Sequence, residues 1–241
     1  MSKLRIYEAP EQVAAAFAQQ LFQLVSDSSA GEFHWVLSGG STPKMLFELL
    51  ARDYTPLMQW SKIHFWWGDE RCVPPWDDEN NYKMAYDHLL GRIPVSPEQI
   101  HRIKGELAPG EACRQYIDEI QSHLKIKQTL PAFDLIMLGI GDDGHTASIF
   151  PDQMDLMMTK TLCKVAAHPV TGQKRVSLTG PVLNNARQVS FLVTGKSKAL
   201  RVAQILNKEN TAAALPAYHI QPIQGGLTFF LDREAASGIN G

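Results

Sequence analysis

Short apolar runs alternate along this chain with segments of helical period, and most of the runs stop in glycine or polar residues. After "LRIYE", Val13, Phe17, Leu21, Leu24 and Val25 recur at helical spacing. "FHWVL" runs into "SGGSTP" and then into the helical "KMLFELLARD". "KIHFWWGDER" reads as a strand ending in charges, and "YKMAYDHLLGRI" and "EACRQYIDEIQSHL" read as helices. "FDLIMLGIG" and "VSFLVTG" are strands, the second followed by the helical "KSKALRVAQIL", and "LTFFLD" is the last strand of the series. Parallel strands need crossover helices, so this order predicts an α/β fold: a mainly parallel sheet with helices on both faces. The longest irregular stretches are "CVPPWDDENN" and roughly residues 151–175, and neither has the composition of a linker. With no internal repeat, one domain over residues 1–241 is expected.

Bulk properties narrow the function. Apolar residues make up 44% of 241, enough for a sizeable core, and the formal net charge is −2. That charge gives no electrostatic reason to expect nucleic acid or an anionic membrane. No apolar run approaches bilayer length, and "MSKLRIYEAPEQ" has no signal-peptide core, so a cytoplasmic protein is expected. Cys72, Cys113 and Cys163 are scattered and read as reduced thiols. None of the eight histidines lies three to five residues from another, so paired zinc-type spacing is absent.

Polar residues gather where strands end: Ser38–Pro43, Asp69–Arg71, Gly139–His145 and Thr194–Lys198. Ligands of open α/β sheets bind at the carboxyl ends of strands, so four such ends, if adjacent, make one site. In "SGGSTP", Gly39 and Gly40 let backbone N–H groups approach a ligand. Thr42 suits an N-cap and Pro43 the first helical position, which would aim a helix N-terminus at a phosphate. A plain capped strand–helix turn explains the loop equally well. In "WWGDER", Asp69, Glu70 and Arg71 cannot all be buried without partners. They form either a solvated strand end or an acid and an arginine lining a crevice.

Two motifs invite a nucleotide reading and fail it. Gly139–Gly144 is a literal GxGxxG, but Asp142 and Asp143 would repel a pyrophosphate, and no ribose-binding acid follows about 20 residues on. Gly195-Lys196-Ser197 lacks the glycine five positions earlier that a Walker A loop requires, since position 190 is Ser. Lys198 remains either a cation pointing into the crevice or a solvated lysine. The glycines of the first motif instead form a tight turn presenting Asp143 and His145, a base with a tuning partner. Taken alone, a surface histidine beside a capping aspartate fits the same residues. The convergence of four loops tips the balance toward a site.

The stretches "LSGGSTPKMLFELLA", "WGDERCVP…NNY", "FDLIMLGIGDDGHTASIFP" and "RVSLTGPVLNNA…FLVTGKSKA" resemble the 6-phosphogluconolactonases, members of the glucosamine-6-phosphate isomerase/6-phosphogluconolactonase family. The resemblance runs along nearly the whole chain, in order. It implies a Rossmann-like fold and hydrolysis of 6-phospho-D-glucono-1,5-lactone in the pentose phosphate pathway, with no metal or other cofactor. It also implies roles. His145 would be the general base, Asp143 would hold or tune it, and Arg71 would line the pocket and counter developing negative charge. Ser38, Gly39, Gly40 and Ser41 would cradle phosphate, and Arg175 and Lys198 would supply its positive partners. The expected partner is the sugar-phosphate lactone, acting on a monomer or weak homodimer. Family members commonly have Ser-Asn-Tyr where this chain has Asn80-Asn81-Tyr82. Two rivals remain. A sugar-phosphate isomerase or deaminase on the same fold would carry an acid at the position of Phe150 and DEY in place of DER. A non-enzymatic sugar-phosphate sensor would not need His145.

Overall fold

The structure is a computed structural model that describes residues 2–124 and 130–240. Seven parallel strands form the main sheet: β1 (Lys3–Tyr7), β2 (Phe33–Leu37), β3 (Ile63–Trp67), β5 (Ile100–His101), β6 (Leu135–Leu138), β9 (Gln188–Val193) and β10 (Gly226–Asp232). Their spatial order is β1-β10-β9-β6-β2-β3-β5. The central strands β2 and β6 are buried along their whole length, as apolar runs in a sheet covered on both faces should be. The helices around the sheet are α1 (Pro10–Asp27), α2 (Ser41–Leu49), α3 (Asn81–His88), α4 (Pro109–His123), the single turn α5 (Gly180–Leu183) and α6 (Ala199–Leu206). Helix α1 buries Val13, Phe17, Leu21 and Val25 of the stripe that the spacing predicts, and its fifth member, Leu24, is half-buried. Phe17 meets Phe230 of β10 edge-on, with ring centroids 5.8 Å apart at 77°.

Strand order fixes where a ligand can bind. From β2 the sheet extends outward through β3 to β5, and from β6 it extends the other way through β9 to β10. The chain therefore leaves the carboxyl ends of the adjacent strands β2 and β6 in opposite directions. That divergence is the topological switch point, where open α/β sheets leave a crevice.

A second sheet departs from the sequence reading. "KIHFWWGDER" is not one strand: β3 stops at Trp67, and Asp69–Arg71 form β4 of a separate antiparallel sheet, in which β8 (Lys174–Leu178) lies between β4 and β7 (Cys163–Ala167). Gly68 marks the change. Its N–H donates to Leu37 O in the main sheet at 2.9 Å, and its carbonyl accepts from Leu178 N in the small one at 2.8 Å. The stretch expected to be irregular, 151–175, contains a 3₁₀ segment at Pro151–Met157, all of β7 (Cys163–Ala167) and the start of β8 (Lys174–Leu178). These strands are short and alternate weakly, so their pairing is set by tertiary contact rather than by local pattern.

Tyr116 of α4 fastens the end of β3, just before this change of sheet. Its buried hydroxyl accepts from Trp67 N at 2.9 Å and donates to Trp67 O at 2.8 Å. Tyr116→Phe leaves both backbone groups without that partner. Thermal or urea unfolding should show a loss of about 1–3 kcal/mol, whereas a change within error would mean that water or another group takes over the two bonds.

Candidate active site

A cavity of about 250 Å³ opens at the switch point. Ser38, Gly39, Gly40 and Ser41 line it from the end of β2, Arg71 from β4, His145 from the loop after β6, Arg175 from β8, and Lys198 from the turn after β9. All eight were singled out from the sequence, and the fold brings them together. Asp143, the ninth, sits behind His145 rather than on the cavity wall.

The β2 loop differs in detail from its sequence reading. The N-cap of α2 is Gly40, not Thr42, and Ser41 is the first helical residue. Gly40 has φ +112°, a left-handed conformation that a side chain resists, so only glycine turns the chain tightly enough here. Thr42, freed from capping, bonds the hydroxyl of Thr194 at 2.7 Å and ties the β2 loop to the β9 loop. Pro43 still falls within the first turn, where an N–H is not needed. A Cβ at Gly39 would overlap the carboxamide of Asn81. The amide of Asn81 is itself fixed by donating to Asp69 O at 2.9 Å.

The loop after β6 is built around His145. Gly141 N donates to His145 O at 2.8 Å, Gly144 N to Gly141 O at 2.9 Å, and Thr146 Oγ1 to Gly139 O at 2.9 Å. A Cβ on Gly141 would run into the imidazole ring and the Asp143 carboxylate. The GxGxxG therefore makes room for a side-chain pair. The chain after it forms a bridge between Thr146 and Ile149 instead of a helix. Asp143 Oδ1 accepts from His145 Nδ1 at 2.6 Å and from His145 N at 3.0 Å. Burial alone would raise the Asp143 carboxyl, but the His145 side-chain and backbone bonds outweigh it and hold it at about 2. Asp143 thus stays ionised at neutral pH. It keeps the proton on Nδ1 and leaves Nε2 with its lone pair. The ring lies against Phe150, with centroids 4.8 Å apart.

Arg71 and Arg175 face each other directly across β4 and β8. Arg71 Nη1 donates to the carbonyl of Glu79 at 2.6 Å, yet among the described residues Nε of both arginines is buried without a partner. Burial, and next the Arg71 guanidinium, lowers the pKa of Arg175. Two adjacent cations with unfilled donors are costly unless an anion joins them. Lys198 reaches the rim, where its ammonium meets Asp142 at 2.6 Å.

The remaining charges have partners that the sequence did not reveal. Asp69 Oδ2 accepts from the buried Ser148 hydroxyl at 2.6 Å. Ser148 is thereby engaged as a donor, in keeping with the absence of a nucleophile elbow around it. Glu70 is fully buried and accepts from Arg71 N, Asn81 N and Tyr82 N at 2.7–2.8 Å, seating the start of α3. Burial pushes its carboxyl up to about 7 against the pull of those three donors. Asn80 caps α3, its Oδ1 accepting from Lys83 N at 2.9 Å. Serine and asparagine cap helices about equally well, which accounts for the departure from Ser-Asn-Tyr. Gly195 gives its N–H to both carboxylate oxygens of Asp232, at 2.9 and 3.0 Å, which occupies the donor a phosphate loop would offer.

Residues 8–229 match the family model described as glucosamine-6-phosphate isomerases/6-phosphogluconolactonase. The chain belongs to this family. A 6-phosphogluconolactonase of Treponema pallidum is 39% identical over 224 residues, covering 92% of each chain. Among solved structures, one described as devB protein superposes with TM-score 0.93 at 40% identity, covering 100% of both chains. A 6-phosphogluconolactonase from Trypanosoma cruzi superposes with TM-score 0.90 at 28% identity, covering 100% of this chain and 98% of its own. The family's description joins two reaction classes, and the residues around His145 have to decide between them.

The paired arginines generate a direct expectation. Inorganic phosphate, titrated by calorimetry, should bind the protein, and Arg175→Ala should weaken it about tenfold or more, since a charge-assisted contact contributes roughly 1.5–3 kcal/mol. Unchanged affinity would mean that the anion sits elsewhere.

Proposed function

We propose that this chain hydrolyses 6-phospho-D-glucono-1,5-lactone to 6-phospho-D-gluconate, the lactone-opening step of the oxidative pentose phosphate pathway, with His145 as general base. The observation that carries this reading is the short bond from His145 Nδ1 to Asp143 in a residue lining the cavity. It leaves Nε2 as the ring nitrogen able to take a proton from water. The water oxygen adds to the lactone carbonyl while its proton passes to Nε2. The tetrahedral oxyanion then collapses, the ring C–O bond breaks, and the leaving oxygen takes the proton back from the imidazolium. The new carboxylic acid ionises to the product. Asp143 acts through His145 as a positioning residue, fixing the tautomer and countering the transient positive charge.

The cations divide the substrate's negative charges. The Ser38–Ser41 loop, with Arg175 and Lys198, holds the phosphate, and Arg71 lies against the pocket where the oxyanion develops. No cofactor is called for, because a δ-lactone is an activated ester, and a base worth about 10²–10⁴-fold with oriented donors is sufficient catalysis. Phe150 stands where the deaminase pattern places an acid, and it is fully buried against His145. That apolar contact favours hydrolysis over isomerisation. We place the chain in the cytoplasm as one lactonase domain, a monomer or weak homodimer with no nucleic-acid partner. Among the described residues no helix is long and apolar enough to cross a membrane.

His145→Asn keeps the size of the ring but cannot accept the proton. Its kcat on fresh lactone should fall by about 10²–10⁴ with a much smaller change in KM, after subtraction of spontaneous hydrolysis. A near-wild-type kcat would remove His145 from the mechanism, and ammonia release from glucosamine 6-phosphate would move the chain to the sibling reaction. Gly141→Ala should lower kcat by about 10² with the far-ultraviolet circular dichroism unchanged, because its methyl displaces the His145–Asp143 pair. Full activity in that variant would show that the pair tolerates displacement.

A further inference from the structure

Four histidines that the catalytic reading does not use meet on the α4 side of the sheet. His34 of β2 is in register with His64 of β3, and His101 of β5 with Trp66. The ring of His101 stacks on Trp66 at 4.0 Å and 14°, and His123 of α4 lies 4.4 Å from His101. None of them lines the catalytic cavity.

Glu119 joins the group from α4. It lies one turn before His123, so the two side chains share a helix face. Glu119 Oε1 is 2.7 Å from His101 Nδ1 and 3.5 Å from His123 Nδ1. One potential ligand atom from each of His101, Glu119 and His123 lies within 4.8 Å of the other two. Two imidazoles and a carboxylate are a common zinc donor set, and tetrahedral zinc places its ligand atoms about 3.3 Å apart. The His101–Glu119 pair has to open by about 0.6 Å to reach that spacing, and His123 Nδ1, if it is the ligating atom, gives up its contacts with Ser122 Oγ at 2.9 Å and Glu119 O at 3.0 Å. We propose that His101, Glu119 and His123 form a binding site for a divalent transition metal of the zinc class, with the fourth position left to water.

The surroundings suit that role. His101 is almost fully buried and its ring is locked by Trp66, while Glu119 and His123 are partly exposed and give the ion an entry path. His101 Nε2 lies 2.9 Å from His64 Nδ1, and His64 Nε2 lies 3.9 Å from Glu32 Oε1. Without metal, His101 Nδ1–H donates to Glu119 and Nε2 accepts from His64. With metal on Nδ1, the His101 proton moves to Nε2 and donates to His64 Nδ1, whose own proton moves to Nε2 and faces Glu32. No proton is gained or lost along this chain. His64 becomes the outer partner that orients the ligating ring. The ion would pin α4 to β5, a two-residue edge strand with few bonds of its own.

The test is calorimetric titration of zinc chloride into tag-free, chelator-stripped protein. One saturable equivalent is expected. His123→Ala and Glu119→Gln should weaken it by about 100-fold or more, and His64→Ala by about 10–100-fold. Lactonase turnover and circular dichroism of His123→Ala should match wild type, which separates ligand loss from misfolding. Cobalt(II) should give the intense visible absorption of a four-coordinate site in wild type and lose it in His123→Ala. Absence of saturable zinc uptake, uptake equal in wild type and His123→Ala, or only the pale spectrum of six-coordinate cobalt would each overturn the proposal.

Discussion

The divergence of the chain at β2 and β6 is the constraint from which the rest follows. Parallel strands can be joined only by crossovers, and crossovers leaving adjacent strands in opposite directions cannot fill the space between their starting loops. That space is the cavity. Its walls are therefore strand-end loops, and each loop needs local chemistry able to turn sharply and still present polar groups. Gly40 supplies a left-handed cap, and Gly141 supplies the absence of a side chain where the His145–Asp143 pair must lie. The Thr42–Thr194 bond then fixes two of these loops to each other across the crevice.

Charge is the second organising feature. The small antiparallel sheet exists beside the main one because β4 leaves it at Gly68, and its register sets Arg71 opposite Arg175. Like charges in that arrangement, with buried donors unfilled, destabilise the free protein and favour an anionic ligand. Glu70 faces the other way and gives its carboxylate to three backbone N–H groups at the start of α3. Successive residues of one short strand thus divide structural from ligand-directed work. On the proposed function, stability at Arg71 and Arg175 is given up for binding, as is usual where a fold presents a site.

Much of this was legible in the sequence because it is encoded locally. The strand–helix alternation gave the α/β sheet, and the four polar strand ends gave the cavity's lining, including Arg71, His145 and Lys198. Arg175 came instead from the family resemblance, since it sits in a stretch with no readable pattern. What stayed hidden depends on partners distant in sequence. The three residues of β4 are too few to show periodicity, and β7 and β8 become strands only by pairing. Thr42 looked like the cap because the local pattern ignores its bond to a residue 152 positions away. The histidine cluster escaped a search for paired histidines because one ligand is a glutamate one helical turn away and another comes from β5. A search for Glu-x-x-x-His would have flagged Glu119 and His123, though not His101.

The most direct test of the central claim is a crystal structure with 6-phosphogluconate bound. The account places the phosphate on the Ser38–Ser41 loop with Arg175, and the carboxylate within hydrogen-bond distance, about 3 Å, of His145 Nε2. A product bound with its carboxylate away from His145, or with its phosphate outside that loop, would contradict it.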